Sequence, residues 1–320
     1  MKGALPEKWI EAAAGDRPSD VALLTLQNRL GAVLQCLPPA AKKHKQDVEH
    51  VHQLRIWTRR ATAALSLYEE QMPRRRFSWM RKQLKRVRRA ANAARDCDVL
   101  LARLKNKHAQ RGTKRWLEVI RAERADAQQA IVAAYERLKH DDRFTQRIDK
   151  LLKRVRALGE EQAAGESVGF GDWARERLRR LVERFFATVP ADKADASAFH
   201  NFRIRGKELR YALELLAGMF PDEARTKLYP TIEAMQDRLG EINDLATAMA
   251  WLQRKIESAS DPKEAALWRR LLASEQAEFD QVRPAFWDWC TPQRLQELLG
   301  GFEALLGDST KPAKTWSRPT

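Results

Sequence analysis

The sequence repeats itself with an offset of 148 residues, and this internal repeat constrains the fold more than any other feature. The alignment needs no gap from His52 to Leu104, which fall on His200 and Leu252. The register holds through a helical segment, a proline turn and a second helical segment, which is more than one shared helix would explain. We therefore expect two related halves, each built around the same helical hairpin.

Both halves have the pattern of helices. Apolar residues recur at spacings of three and four, glycine and proline are sparse, and no segment has the pattern of a strand. We predict an all-α fold of two four-helix bundles related by pseudo-twofold symmetry around a basic central groove or pore. Turn signals predict helix breaks at Pro38-Pro39, Pro73, Gly112, residues 140–142, Pro190, Pro221, Pro262 and Pro284.

One segment is the best candidate for a linker between the halves. Residues 159–171, with the sequence GEEQAAGESVGFG, combine several glycines with a loss of apolar periodicity. We expect the first bundle in residues 1–158 and the second in residues 172–307. The polar, proline-containing residues 308–320 are predicted to form a disordered tail.

Positive charge is concentrated in one part of the chain. Lys and Arg number 59 against 43 Asp and Glu, a net charge of +16. Residues 42–115 alone hold 22 basic and six acidic residues, so the rest of the chain is neutral. A basic surface this local predicts a polyanionic partner.

The repeated helices each carry a row of basic residues. His52, Arg55 and Arg59 share one helical face in the first copy. Apolar positions flank that face on both sides, so we expect the row to line a groove or pore. Like charges at this spacing repel one another, which favours an anion beside them. The second copy has the corresponding row His200, Arg203, Lys207 and Arg210.

A further helix follows the first proline turn and adds more cations. Its sequence, RRRFSWMRKQLKRVRRA, has a core seam flanked by Arg81, Lys85 and Arg88, while Arg89 borders Lys85. Lys82, Arg86 and Arg89 itself are predicted to lie on its far, exposed side, so Arg89 is a candidate only through its closeness to Lys85. The second copy has Tyr229, Glu233 and Gln236 at the positions of Arg81, Lys85 and Arg88, so the binding surface should be asymmetric.

The two copies resemble the paired signatures of the CHAD family, the conserved histidine α-helical domain. The matching segments are VHQLRIWTRR and FHNFRIRGKELRYALELL, and the resemblance spans roughly Ser19 to Leu306. It implies a basic pore that binds inorganic polyphosphate and can direct the protein to polyphosphate granules. Two departures are Thr62, where the family often has arginine, and Ala91-Asn92, where it has Leu-Gly.

The residues and the resemblance together define a candidate site without a catalytic residue, cofactor or metal. Arginine can engage two phosphate oxygens at once, lysine supplies a point charge, and histidine becomes a cationic donor beside an anion. The predicted polyphosphate-binding residues are His52, Arg55, Arg59, Arg60, Arg81, Lys85, Arg88, Arg89, His200, Arg203, Lys207 and Arg210.

Other hypotheses for the function and partner have less support from the sequence. A histidine-dependent phosphate- or metal-handling enzyme would need carboxylates or thiolates beside the histidines, and these have arginines. Nucleic acid is the main alternative partner, although no known nucleic-acid-binding signature is present. A membrane partner is not expected because no segment is long and apolar enough. Three scattered cysteines and the lack of a secretion signal predict a cytoplasmic protein.

Overall fold

A computed structural model of the protein describes residues 4–107, 114–162, 168–193 and 195–307. Within these ranges the chain consists of helices joined by turns, and it contains no strand. The all-α prediction is therefore confirmed for the described part of the chain. None of the helices in these ranges is long and apolar enough to cross a membrane.

The first half of the described chain contains five α-helices. Helix α1 packs against α2, α4 and α5, and α3 packs against α2 and α4. The helices are α1 (Pro18–Lys42), α2 (Glu49–Leu67), α3 (Arg74–Lys107), α4 (Lys114–Lys139) and α5 (Arg143–Gln162).

The second half also contains five α-helices among the described residues. Its core is aromatic: Phe185 stacks on Phe202 with ring centroids 5.0 Å apart, and Trp251 meets Trp268 edge-on at 5.5 Å. The helices are α6 (Phe170–Phe186), α7 (Ala196–Leu216), α8 (Tyr229–Ser258), α9 (Pro262–Trp289) and α10 (Pro292–Leu306).

Contacts divide the chain into two compact units. The first holds the described residues up to Arg177 together with Glu214–Met219, and the second holds Leu178–Leu213 and the described residues from Phe220 onward. Helix α5 continues to Gln162 and α6 begins at Phe170, so helical residues enter the predicted linker from both sides. Residues 163–167 and the predicted tail at 308–320 lie outside the described ranges.

The internal repeat is visible in the secondary structure. Helices α2 and α7 begin and end within one residue of the same repeat positions. Asp47 and Asp195 are repeat partners, and each accepts a hydrogen bond at 2.8 Å from the backbone N–H two residues ahead, which stabilises the start of the helix. A three-residue 3₁₀ segment follows each helix at the same offset, at Glu69–Gln71 and Ala217–Met219.

Two predicted helix breaks are wrong. Helix α1 runs through Pro38-Pro39 to Lys42, and α9 runs through Pro284 to Trp289. Proline removes one backbone donor, but the buried residues after each proline keep the chain helical: Ala40 is fully buried, and Phe286 is 1% exposed. The break between α1 and α2 instead falls at residues 43–48, which contain neither glycine nor proline.

Two helical glycines of the second unit provide a matched test of packing. A methyl group at Gly206 of α7 would overlap the buried Gln236 side-chain amide, whereas one at Gly240 of α8 would meet nothing within 4 Å. Gly206→Ala should lower the free energy of unfolding by up to about 1 kcal/mol, because the amide at the end of the Gln236 side chain has to move within the core. Gly240→Ala should raise it by about 0.5–1 kcal/mol, because alanine favours the helix. Denaturant unfolding of both variants measures this, and equal effects would contradict the packing described here.

Candidate functional site

Helix α2 has a buried side and a basic side. Leu54 and Ala61 are fully buried in the first unit, whereas His52, Arg55 and Arg59 are half-buried on the other side of the helix. Because a helix has 3.6 residues per turn, these three side chains form one row along it. The sequence-predicted row is therefore present in the first unit.

Helix α3 contacts this row at Arg55. The Arg55 guanidinium donates to the Asn92 side-chain oxygen at 2.7 Å and lies 3.7 Å from an Asp96 carboxylate oxygen. Asp96 is 48% exposed, so the ion pair contributes little free energy. The contact instead fixes the direction of Arg55 and places residues 92–96 of α3 beside the first turns of α2.

Positive charge surrounds His52. Burial lowers the pKa of the His52 imidazole below its ordinary value, and the charge of Arg95 lowers it further. Arg55 and Arg59 act in the same direction, and Glu49 opposes them. His52 is consequently neutral near pH 7 while no anion is bound, because each nearby guanidinium disfavours another cation.

The predicted cations of α3 lie at the surface. Arg81, Lys85 and Arg89 are exposed, and Arg88 is half-buried and makes a polar contact. The Arg81 guanidinium lies 5.9 Å from the centre of the Phe77 ring, whose side chain is buried. Since Arg81, Lys85 and Arg88 share one flank of α3 with Asn92, they lie on the side of α3 that contacts Arg55.

The second unit places its histidine row differently. His200 is exposed on α7, and Arg203 and Lys207 are half-buried with polar partners of their own. Arg210 lies 3.3 Å from both the Tyr229 hydroxyl and a Glu233 carboxylate oxygen. The second row therefore exists as predicted, but an acidic residue partly neutralises its last member.

The contact between Arg210 and Glu233 shows where the two repeats differ in charge. Arg210 and Glu233 occupy the repeat positions of Thr62 and Lys85. The second copy thus has an ion pair where the first copy has a hydroxyl and an additional cation. The first unit consequently concentrates more positive charge at these positions than the second.

Arg60 has a different environment from His52, Arg55 and Arg59 of the same helix. Its guanidinium makes two hydrogen bonds to Glu214, at 2.7 and 3.2 Å, and Glu214 is only 1% exposed. Arg60 also lies 4.8 Å from the centre of the Trp57 ring, which Arg29 approaches at 5.4 Å. The structure gives Arg60 a structural ion pair, and its role as a phosphate ligand stays a prediction.

The three cysteines are buried and separate. Burial raises the pKa of Cys36 and of Cys290 to about 12 and that of Cys97 to about 11, so these thiols are protonated at neutral pH. Among the described residues, no three histidine, cysteine or acidic side chains gather closely enough to hold a metal ion. The chemistry that the described basic rows support is the binding of anions.

Sequence reasoning missed three residues that shape the site. Arg95 is the charged side chain with the largest effect on the His52 pKa, Asn92 orients Arg55, and Glu214 binds Arg60. Pairing the two helices of the repeated hairpin in antiparallel register would have placed Arg95 and Asn92 near the row. No local signal marks Glu214, because it lies 154 residues from Arg60 along the chain.

Comparisons with known proteins show which family and which solved structures the chain resembles. A family model described as CHAD domain matches residues 22–253. The chain is similar to the crystal structure of the CHAD domain from the plant Ricinus communis, with 24% identity and a TM-score of 0.66 over 92% of this chain and 95% of that one. It is also similar to PptA from Streptomyces chartreusis, with 18% identity and a TM-score of 0.55 over 85% and 98% of the two chains. No curated protein matches the chain in sequence.

The buried ion pair predicts a large loss of stability when one partner is removed. Glu214→Gln should lower the free energy of unfolding by about 3–5 kcal/mol, because it leaves Arg60 with an uncompensated charge in a largely buried position. The matched control is Glu161→Gln, which breaks an ion pair whose side chains are 40% and 58% exposed. That control should cost at most about 1 kcal/mol. Denaturant unfolding that gave both variants the same stability would contradict the structural role of Arg60.

Proposed function

Since the chain belongs to the CHAD family, we propose that it binds inorganic polyphosphate and does so without catalysing a reaction. The ligand contacts two basic strips. The first basic strip is the α2 row with its α3 neighbours, namely His52, Arg55, Arg59, Arg81, Lys85, Arg88 and Arg89. The second basic strip is the α7 row His200, Arg203, Lys207 and Arg210.

One observation carries this proposal, which is the concentration of arginine side chains around His52 on α2 and α3. Burial lowers the pKa of His52 most, and the charges of Arg95, Arg55 and Arg59 lower it further, so the site repels an additional positive charge before any ligand is present. Asp96 compensates only part of this charge, at 3.7 Å from Arg55 and half in solvent. A polyanion relieves the repulsion, so a ligand with many closely spaced negative charges fits the strip best.

The side chains of the first basic strip suit phosphate groups in a chain. Residues three and four apart on a helix have Cβ atoms about 5–6 Å apart, so successive cations can reach successive phosphates. Arginine guanidinium groups bind phosphate oxygens in pairs, and lysine adds point charges. Asn92 holds the Arg55 side chain in place, which reduces the entropy that binding must remove.

The repeats are expected to contribute unequally. In the second basic strip, Arg210 is already engaged by Glu233, whereas the corresponding first-copy positions carry no acid. Arg60 is not counted in the first basic strip because its guanidinium hydrogen-bonds to Glu214, and its contact with phosphate stays a prediction. We therefore infer that the first basic strip provides most of the affinity.

The family resemblance adds finer features to the same proposal. These are pseudo-twofold symmetry between the two halves, a basic groove or pore, and location at polyphosphate granules in the cytoplasm. Each half contains five α-helices among the described residues, where the sequence predicted a bundle of four. The finer features are supported by the matched repeat and by the family, and they need their own tests. Fluorescence microscopy of the tagged protein against stained granules addresses the location.

The experiment that tests the proposal is calorimetric titration with long-chain polyphosphate, followed by duplex DNA and single-stranded RNA of matched charge in the same buffer. We expect saturable binding of polyphosphate that persists at salt concentrations that release both nucleic acids. Binding of polyphosphate that is weaker than that of the nucleic acids throughout would overturn the proposal.

Charge reversal in each strip tests the predicted asymmetry. Arg59→Glu with Lys85→Glu should weaken polyphosphate binding at least tenfold more than Arg203→Glu with Lys207→Glu, because Glu233 already reduces the charge of the second basic strip. Both double variants change the net charge equally, so each is the control for the other. Calorimetry measures the affinities, and circular dichroism verifies the fold. Equal losses would show that the repeats contribute equally.

The lowered pKa of His52 predicts a pH dependence of binding. Burial lowers the pKa of His52 most, and the surrounding arginines lower it further; a phosphate oxygen beside His52 raises it again, so the complex takes up a proton. Affinity should therefore increase as the pH falls from about 8 towards about 6. Calorimetry in two buffers of different ionisation enthalpy measures the proton uptake. His52→Gln should remove most of this uptake, and an unchanged uptake would place the titrating group elsewhere.

A further inference from the structure

Helix α3 carries a second group of cations that the basic strips do not use. Arg75, Lys82 and Arg86 are exposed, and Trp79 is half-buried among them. At 3.6 residues per turn, these four positions share one flank of the helix. That flank lies across the buried seam of Met80, Leu84 and Val87 from the flank of Arg81, Lys85 and Arg88.

Helix α5 adjoins this second flank. The Arg76 guanidinium donates to the Lys150 backbone carbonyl at 3.1 Å, and the rings of Trp79 and Phe144 lie 6.3 Å apart. Residue numbers rise along α3 as they fall along α5 at these contacts, so the helices run antiparallel here. The adjoining flank of α5 carries three exposed cations, Arg143, Arg147 and Lys150.

The second cationic face, defined as Arg75, Lys82, Arg86, Arg143, Arg147 and Lys150, has few nearby acids on its own helices. Helix α3 has no acidic residue before Asp96, and Asp149 falls on the opposite flank of α5. Asp142 precedes α5 at one end of the face. At the other end, Glu161 is occupied by Arg154 at 2.7 Å.

The second cationic face adjoins the first basic strip on the exposed side of α3, where Lys82 lies three residues from Lys85 and Arg86 lies three residues from Arg89. Its other side differs from the strip: Arg76 and Trp79 mark the flank of α3 that contacts α5, whereas Asn92 and Asp96 mark the flank that contacts Arg55. Trp79 and the cations of α5 therefore distinguish the second cationic face from the first basic strip.

An aromatic ring lies among the cations of this face. The Arg147 guanidinium lies 5.4 Å from the centre of the Trp79 ring, which is itself only partly covered. Cations that follow a phosphate backbone, together with an aromatic ring on which bases stack, are the features of sites for single-stranded nucleic acid. An inorganic phosphate chain has no base to stack, so the aromatic ring favours a nucleic acid over a second polyphosphate chain.

We propose that the second cationic face binds single-stranded nucleic acid without sequence preference. Between Arg75 and Arg86 the face extends about 17 Å along α3, enough for several nucleotides. Its cations contact the phosphates, and Trp79 stacks against one base. The protein then has two adjoining polyanion sites, one for polyphosphate and one, marked by Trp79, for nucleic acid.

Fluorescence anisotropy of the full chain with labelled oligothymidylate of about 20 nucleotides tests this proposal. Arg75→Glu, Arg143→Glu and Lys150→Glu together, at positions that do not adjoin the first basic strip, should weaken oligothymidylate binding at least about tenfold and lower the salt slope by roughly two, at about 0.7 for each lost phosphate contact. The matched control reverses three exposed cations of α9, Lys263, Arg269 and Arg270. It should change binding less than threefold, and neither triple variant should change polyphosphate binding more than threefold.

A substitution at Trp79 distinguishes nucleic acid from a general polyanion. Trp79→Leu keeps every charge, and it should weaken oligothymidylate binding about fivefold or more while leaving polyphosphate binding unchanged. Trp79→Phe keeps a ring and should retain most of the affinity. Unchanged oligothymidylate binding in the triple variant, an equal loss in the α9 control, or parallel losses of polyphosphate and oligothymidylate would each overturn the proposal. A failure of polyphosphate titration alone would instead overturn the proposed function.

Discussion

Repulsion between like charges on the hairpin of α2 and α3 is the physical constraint on which the site depends. Burying the apolar side of α2 leaves His52, Arg55 and Arg59 together on its other side. The protein accommodates this charge by keeping His52 neutral and by directing Arg55 towards Asn92 and Asp96. The compensation is partial, and the polyanion that we propose as the ligand would complete it.

The two copies of the repeated helical hairpin differ in their distribution of charge. In the first copy the hairpin concentrates cations, and in the second it pairs Arg210 with Glu233. Elements shared by the copies determine the course of the backbone. They include the Asp47 and Asp195 side chains, which accept hydrogen bonds from backbone N–H groups where α2 and α7 begin, and the 3₁₀ segments that follow these helices. The copies therefore share their backbone structure but differ in charge, and the proposed difference in affinity between them rests on the charge.

The helical class and the repeated hairpin could be predicted because the spacing of apolar residues and the ungapped register are visible in the order of residues along the chain. Sequence reasoning misplaced the breaks at Pro38-Pro39 and Pro284, where packing of the following residues outweighs the loss of a donor. It assigned Arg60 to the phosphate site by signature alone. The partner that gives Arg60 a structural role, Glu214, lies 154 residues away, and helical periodicity carries no information at that distance.

The measurement that tests the central claim most directly is lysine footprinting by mass spectrometry, with and without long-chain polyphosphate. Each basic strip contains one lysine, Lys85 or Lys207, while Lys150 and Lys263 are exposed on other helices. The account predicts that polyphosphate protects Lys85 strongly and Lys207 more weakly, and leaves Lys150 and Lys263 reactive. Uniform protection of all four, or protection of Lys150 without Lys85, would contradict a ligand held by the basic strips.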